Sequence, residues 1–238
     1  MSETGLRASG LTVRYGRASA LNLAGTELRV PAGRVTLVVG PNGAGKSSLA
    51  LAMYGSVPAG GQVFLGGRDV SALPTRNRAR AGLALVPQGR QLFARMSVRE
   101  NLMVSAELLR LDPARVEQAL DRFPILRTRA NRPVGVLSGG EQQMMVVARA
   151  LMTDPSVLLL DEMATGLAPL IVEDLLRTVR DLARSGTAVL LAAPTIGVLG
   201  QVADGGVVLM RGRVVAEHDD VAELDAAYQA AMGAVVEG

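Results

Sequence analysis

The sequence predicts an α/β fold on a mainly parallel sheet, and three observations carry that prediction. First, four short runs are apolar without alternation: VTLVV (35–39), LALV (83–86), SVLLL (156–160) and TAVLL (187–191). Strands read this way when both faces are covered, as in a parallel sheet with helices packed over it. Second, LTVRY (11–15), GQVFL (61–65), GVVLM (206–210) and RVV (213–215) sit among glycines, the setting of edge or hairpin strands. Third, the pattern turns helical between residues 90 and 155, so a helical insert over about 90–154 interrupts the sheet. With no internal repeat, low-complexity segment or linker, one domain over 1–238 is the economical reading.

Local chemistry sets the elements of the insert. Ser97 with Glu100 forms a capping box ahead of NLMVSAELLR, and Asp112 with Pro113 opens a second helix that must stop near Pro124. Further on, Ser185 to Ala203 carries no charge for 19 residues, close to the length that crosses a bilayer. Pro194, Gly197, Gly200 and Gln201 break it, so it reads as a buried strand followed by a short helix.

Composition narrows the function classes. The net charge of +3 is mild and aromatic residues make up 3%, which gives neither a nucleic-acid footprint nor a stacking surface. The chain has no cysteine, so disulfides and thiolate metal sites are excluded, in keeping with a reducing compartment. The opening MSETGLRASG has no basic and then apolar stretch, so no signal peptide is expected.

Of the 25 lysines and arginines, one is a lysine, and it stands in GPNGAGKSS at 40–48. Residues 40–47 fit G-x-x-x-x-G-K-[ST], with an expected strand before and Leu49, Ala52 and Met53 at helical spacing after. Gly43 and Gly45 let the chain turn so that successive N–H groups face an anion, and the helix adds its positive N-terminal pole. Gly40, Pro41, Asn42, Ala44 and Ser48 complete this cradle. Lys46 reaches the outer phosphates as a compact charge, a role that a planar guanidinium fills poorly in a tight loop. The Ser47 hydroxyl can ligate Mg2+.

A phosphate cradle needs a carboxylate for the metal and a means of activating water. SVLLLDE supplies both: Asp161 to hold Mg2+ and Glu162 to polarise water, at the carboxyl edge of the sheet where open α/β folds bind ligands. The plainer alternative is a strand that ends in two solvated acids. LSGGEQQ (137–143) then precedes a second helix with an apolar stripe at Met144, Val147, Ala148 and Leu151. Ser138 with Glu141 fits a capping box, but Gly139 and Gly140 also bare main-chain N–H groups at a helix start. Two phosphate-binding helix starts and one lysine suggest that the second serves a nucleotide held by another subunit.

On these residues the chain resembles the ATP-binding cassette (ABC) transporter ATPases over nearly its whole length. GPNGAGKS is similar to their Walker A loop, LSGGEQQ to their signature, LLLDE to their Walker B strand and catalytic glutamate, and Gln88 in VPQGR to their Q-loop. The resemblance implies a P-loop NTPase fold of the ABC ATPase kind, with a mainly parallel core sheet, an N-terminal antiparallel β subdomain and a helical subdomain. It implies ATP and Mg2+ as ligands, Tyr15 as the ring on adenine, and Gln88 as a metal-side sensor toward a transmembrane partner. Lys46, Gln88 and Glu162 would be the catalytic set. Two such subunits, alike or different, would close head to tail beneath permease subunits at the cytoplasmic face of the membrane, with a solute-binding protein as an indirect partner.

VPQGRQLFARMSVRENL, RANRPVGVLSGGEQQMMVVARALM and GLAPLIVEDL further resemble the LivF-type subunit of branched-chain amino acid importers, with urea and amide importers as relatives. The sequence departs from the family at three places. Pro194 stands about where a switch histidine is usual, Ala168 at the D-loop acid position and Met163 after the glutamate. The single histidine, His218, is expected in an exposed turn. Two readings follow: an ATPase that drives uptake, or a regulatory nucleotide-binding subunit whose partner carries the hydrolysis.

Overall fold

The computed structural model describes residues 5–236, so the first residues of the stretch searched for a signal peptide lie outside it. Two sheets organise the chain. The N-terminal one is antiparallel and five-stranded. Its centre is β1 (Gly5–Tyr15), which pairs along one side with β3 (Glu27–Pro31) and then β2 (Ala18–Asn22), and along the other with β5 (Gly60–Leu65). The short β6 (Arg68–Asp69) extends β5. LTVRY is the end of this long strand: Thr12 to Tyr15 form the expected hairpin with β2, and Thr12 also pairs with Gly60 of β5.

The second sheet has six strands in the order β11 (Arg213–His218), β10 (Gly205–Met210), β4 (Val35–Val39), β9 (Ala188–Ala193), β8 (Val157–Asp161), β7 (Leu83–Val86). All neighbours pair in parallel except β10 with β11. The four uninterrupted apolar runs form four adjacent parallel strands, as their two-sided burial demands. GVVLM takes the hairpin alternative of its expected edge-or-hairpin setting. β10 forms the hairpin with β11 but also pairs in parallel with β4, and every one of its residues is buried.

Side chains alternate across this sheet between two apolar clusters. Leu158, Leu160, Val189 and Leu191 face the helical side, while Val157, Leu159, Ala188 and Leu190 face α1 (Lys46–Tyr54) and the antiparallel sheet. A short α2 (Thr75–Arg80) leads into β7. Between β7 and β8 run α3 (Val98–Leu109), α4 (Ala114–Arg122), α5 (Pro124–Thr128) and α6 (Gly139–Leu151), the position expected for the helical insert. The Ser97–Glu100 capping box is formed in both directions, and α4 stops at Arg122 because Pro124 opens the next helix. α7 (Pro169–Arg184) precedes β9, and α8 (Val221–Val236) packs on β10 and β11. The uncharged 185–203 stretch is β9 and a 3-10 turn at Gly197–Gln201. Among the described residues, no helix is long and apolar enough to cross a membrane.

Candidate nucleotide-binding site

The loop from Gly40 to Gly45 joins the carboxyl end of β4 to α1, and its glycines are needed for different reasons. A Cβ at Gly40 would stand 2.0 Å from the Leu209 carbonyl oxygen of β10, so only glycine lets the chain leave the sheet there. Gly43 (φ 79°) and Gly45 (φ 105°) lie in the left-handed region, and a Cβ at Gly45 would also meet the Ala20 carbonyl oxygen at 2.5 Å. Gly45 caps α1 without any side-chain cap hydrogen bond, which leaves the helix start to the backbone amides and the positive pole of the helix.

Lys46 folds back over this loop. Its ammonium donates to the Gly40 oxygen at 2.7 Å and the Pro41 oxygen at 3.0 Å, with 3% of its side chain exposed. Burial pushes its pKa down, and the charges of Glu162 and Asp161 oppose that shift. A cavity of about 300 Å3 opens here, lined by Asn42, Gly43, Gly45, Lys46, Ser47 and Ser48 on one side and by Gln88 and Glu162 on the other, with Ala20 at its margin.

The two carboxylates are not the solvated pair of the plainer alternative. Asp161 ends a wholly buried strand and is 3% exposed, and its Oδ1 has no hydrogen-bond partner among the described residues. Burial raises its pKa, while the Ser47 hydroxyl, the Lys46 charge and the Gln88 backbone amide act in the opposite direction. Glu162 holds a left-handed backbone (φ 53°), an uncommon and strained conformation for a residue with a side chain. Its N–H donates to the Ala192 oxygen of β9 at 2.9 Å. Its carboxylate accepts from Gln88 Nε2 at 2.7 Å and lies 3.9 Å from the Lys46 ammonium. The glycine loop, Gln88 and both acids therefore meet in one place.

At the second glycine-rich helix start, the capping box is complete: the Ser138 hydroxyl accepts from the Glu141 N–H at 3.3 Å, and the Glu141 carboxylate accepts from the Ser138 N–H at 2.8 Å. The glycines there also have packing neighbours. A Cβ at Gly139 would meet the Arg90 guanidinium at 2.9 Å, and one at Gly140 would meet Ile171 of α7 at 2.8 Å. Arg90 in turn donates to Gln142 at 2.9 Å. Tyr15 is 50% exposed at the end of β1, paired with Ala18, and is not part of the cavity wall. Ala168 caps α7, Met163 is buried, and Pro194 directly follows β9. His218 is corrected from an exposed turn to the last residue of β11. There it pairs with Gly206 near the amino end of the parallel strands, so it stands at the sheet edge opposite the cradle.

The arrangement is a glycine-rich loop ahead of a helix start with an acid pair at the same sheet edge, and similarity to known proteins gives the family that carries it. The ABC transporter family profile matches residues 23–165. The chain belongs to the ABC transporter ATPase family. It is an ATP-binding subunit with the ATPase activity general to that family. This ABC ATPase is 37% identical over 213 residues to the high-affinity branched-chain amino acid transport ATP-binding protein BraG of Pseudomonas aeruginosa, covering 88% of this chain and 90% of BraG. It is 38% identical over 186 residues to the probable branched-chain amino acid transport ATP-binding protein LivF of Archaeoglobus fulgidus, covering 76% and 78%. Among solved structures, the ADP conformation of an ABC transporter cassette matches over 94% of this chain and 93% of that one, with TM-score 0.82 and 27% identity.

Some functional neighbours of this ABC ATPase escape sequence reasoning. Ala20, Arg90, Ile171 and the carbonyls that end β9 reach the site only through the fold, at sequence distances that carry no local signal.

Proposed function

We propose that this chain forms one ABC ATPase domain, with a helical subdomain over about 90–154, that energises uptake of branched-chain amino acids or a related small polar solute such as urea or an amide. The solute class rests on the similarity to BraG over 88% of this chain and to LivF over 76% of it. The chemistry rests on one observation: Lys46 and Glu162 face each other at 3.9 Å across the cavity that the Walker A loop lines.

In this reading the amides of Gly43, Gly45 and Ser48 and the Lys46 ammonium hold the triphosphate. Tyr15 offers the adenine an exposed ring. Glu162 accepts a hydrogen bond from the attacking water, whose oxygen bonds to the γ-phosphorus as the bridging P–O bond breaks and ADP leaves. The residues present also suit Mg2+: an unpartnered buried Asp161 oxygen stands beside the Ser47 hydroxyl, both hard donors, with the Gln88 side chain on the same wall. Bound there, Mg2+ would neutralise charge on the phosphates. Gln88, now bonded to Glu162, would release that carboxylate when it turns to the metal.

The partners in this reading are a second ABC ATPase subunit, alike or different, permease subunits and, indirectly, a solute-binding protein. Ser138, Gly139, Gly140 and Glu141 of one subunit would cover the nucleotide of the other. The permease would dock in the groove of about 500 Å3 between α1, β7, α3 and α6, whose wall includes Pro87 beside Gln88 and the exposed Phe93 and Leu108. The subunit would thus sit peripherally on the cytoplasmic face of the membrane.

Pro194 favours the second reading, a regulatory subunit with weak hydrolysis, because proline places no side-chain donor at the switch position. Glu162→Gln separates the two. In the transporter complex purified through this subunit, the variant is expected to bind ATP normally and lose at least about a hundredfold in hydrolysis at this subunit's site, measured in a single turnover. Unchanged turnover and transport would establish the regulatory reading.

A further inference from the structure

The last carbonyls of β9 are each used by a different part of the molecule. Ala192 accepts from the Glu162 N–H at 2.9 Å, and Ala193 accepts from the Gly40 N–H at 3.3 Å. Pro194, the next residue, accepts from the Tyr228 hydroxyl of α8 at 2.8 Å. Three consecutive peptide groups therefore anchor the strained glutamate, the first residue of the phosphate loop, and the C-terminal helix.

Tyr228 is well built for such an anchor. It is 5% exposed and packs in the same apolar cluster as Ile196 and Leu199, which follow Pro194 in the chain, so its ring has little freedom. Burial, and secondarily the Asp225 charge, push its pKa up, so the hydroxyl remains a donor. Pro194 itself has no N–H with which to tie this segment to a neighbour. The segment is thus held by a carbonyl, and from the far end of the chain. None of this was visible from Tyr228 in the sequence, where it is one aromatic residue in a helix of mostly small and acidic residues.

We propose that Tyr228 is a positioning residue for ATP hydrolysis: through the consecutive carbonyls of Ala192, Ala193 and Pro194, α8 holds Glu162 and Gly40 in register with each other. The inference rests on the reading of Glu162 as the residue that polarises water. A small displacement of such a group lowers the rate of the chemical step more than it lowers ground-state binding, since nucleotide affinity is set mainly by the loop amides and Lys46.

Tyr228→Phe keeps the ring and removes the donor. In the purified transporter complex, its single-turnover hydrolysis rate is expected to fall roughly three- to tenfold, with ATP affinity within twofold of wild type. In the isolated full chain, amide hydrogen exchange at Glu162 and Gly40 is expected to speed up, while the amides of β4 and β8 keep their protection. A hydrolysis rate within twofold of wild type, or a loss of rate, affinity and melting temperature together, would overturn the proposal; the second result would reduce Tyr228 to a packing residue. Glu162→Gln is measured alongside. If that variant hydrolyses normally, the assignment of Glu162 has failed. If it is inactive while Tyr228→Phe is not, only the positioning role has failed.

Discussion

The two glycine-rich helix starts, at 40–48 and 138–141, look alike in sequence and differ in what their glycines do. At α1 the glycines are conformational: Gly43 and Gly45 hold positive φ, and the helix opens without a side-chain cap. At α6 neither glycine lies in the left-handed region, Ser138 and Glu141 cap the helix reciprocally, and the glycines admit Arg90 and Ile171 at close range. The first start leaves its amides to an anion. The second spends its polar groups on itself and offers a closely packed surface. Glycine in a motif thus signals either a backbone conformation or a close approach, and only φ and the neighbours tell which.

The sharpest way to break that contrast is to add a methyl group at each site. Gly45→Ala is expected to cost roughly 2–4 kcal/mol, from left-handed strain together with a backbone clash that cannot relax. It should also abolish measurable ATP binding. Gly140→Ala brings its Cβ within 2.9 Å of the Cγ1 and Cγ2 branch of Ile171, a stiff side chain that must shift, but it gains helix propensity, so it should cost only about 1–2 kcal/mol. Thermal unfolding and nucleotide titration of both variants check the pair. Equal costs would mean that the two starts work alike.

Next in size is Lys46→Arg. The ammonium sits between two loop carbonyls with almost no exposed surface, and a planar guanidinium does not share that point contact. ATP affinity is expected to fall roughly 10- to 100-fold although the charge is kept, a loss of about 1.4–2.8 kcal/mol. Isothermal titration with Mg-ATP measures it. Unchanged affinity would show that the cradle needs only a positive charge.

The smallest expected effect concerns pH. Burial raises the Asp161 pKa above its unfolded value. The folded state therefore favours the protonated form, and the stability this confers is complete below the ordinary carboxylate range and lost as pH rises through the raised value. Asp161→Asn removes that loss. The nucleotide-free variant is expected to melt higher than wild type at neutral pH and to match it in acid. Melting curves across pH decide it. The same variant should lose Mg2+-dependent hydrolysis, so a site carboxylate would be exchanging stability for function.

Much of this site was legible beforehand because its parts are short and local. Residues 40–47 hold the loop spacing, Asp161 and Glu162 follow an apolar run, and Ser138 and Glu141 stand three apart as a capping box requires. The strands 18–22 and 27–31 were not anticipated, since each is five residues long and only half-buried in pattern. The glycines of GVVLM mark its hairpin with β11, but they do not tell that β10 also pairs inside the parallel sheet. In β10, glycine is needed where a Cβ at Gly206 would lie 1.9 Å from the Leu37 carbonyl oxygen. Proximity of that kind has no local signature.

The sequence by itself determined the chemistry: a cradle, two acids and a second helix start, each specified by residue types a few positions apart, because caps, turns and strand burial are short-range matters. Only the tertiary structure decided that Gln88 bonds Glu162, that Gly140 faces Ile171, and that Tyr228 ties α8 to the end of β9. Those contacts join residues 31 to 74 positions apart, and they exist only once the chain has folded and parallel pairing has brought the ends of β4, β8 and β9 to one edge.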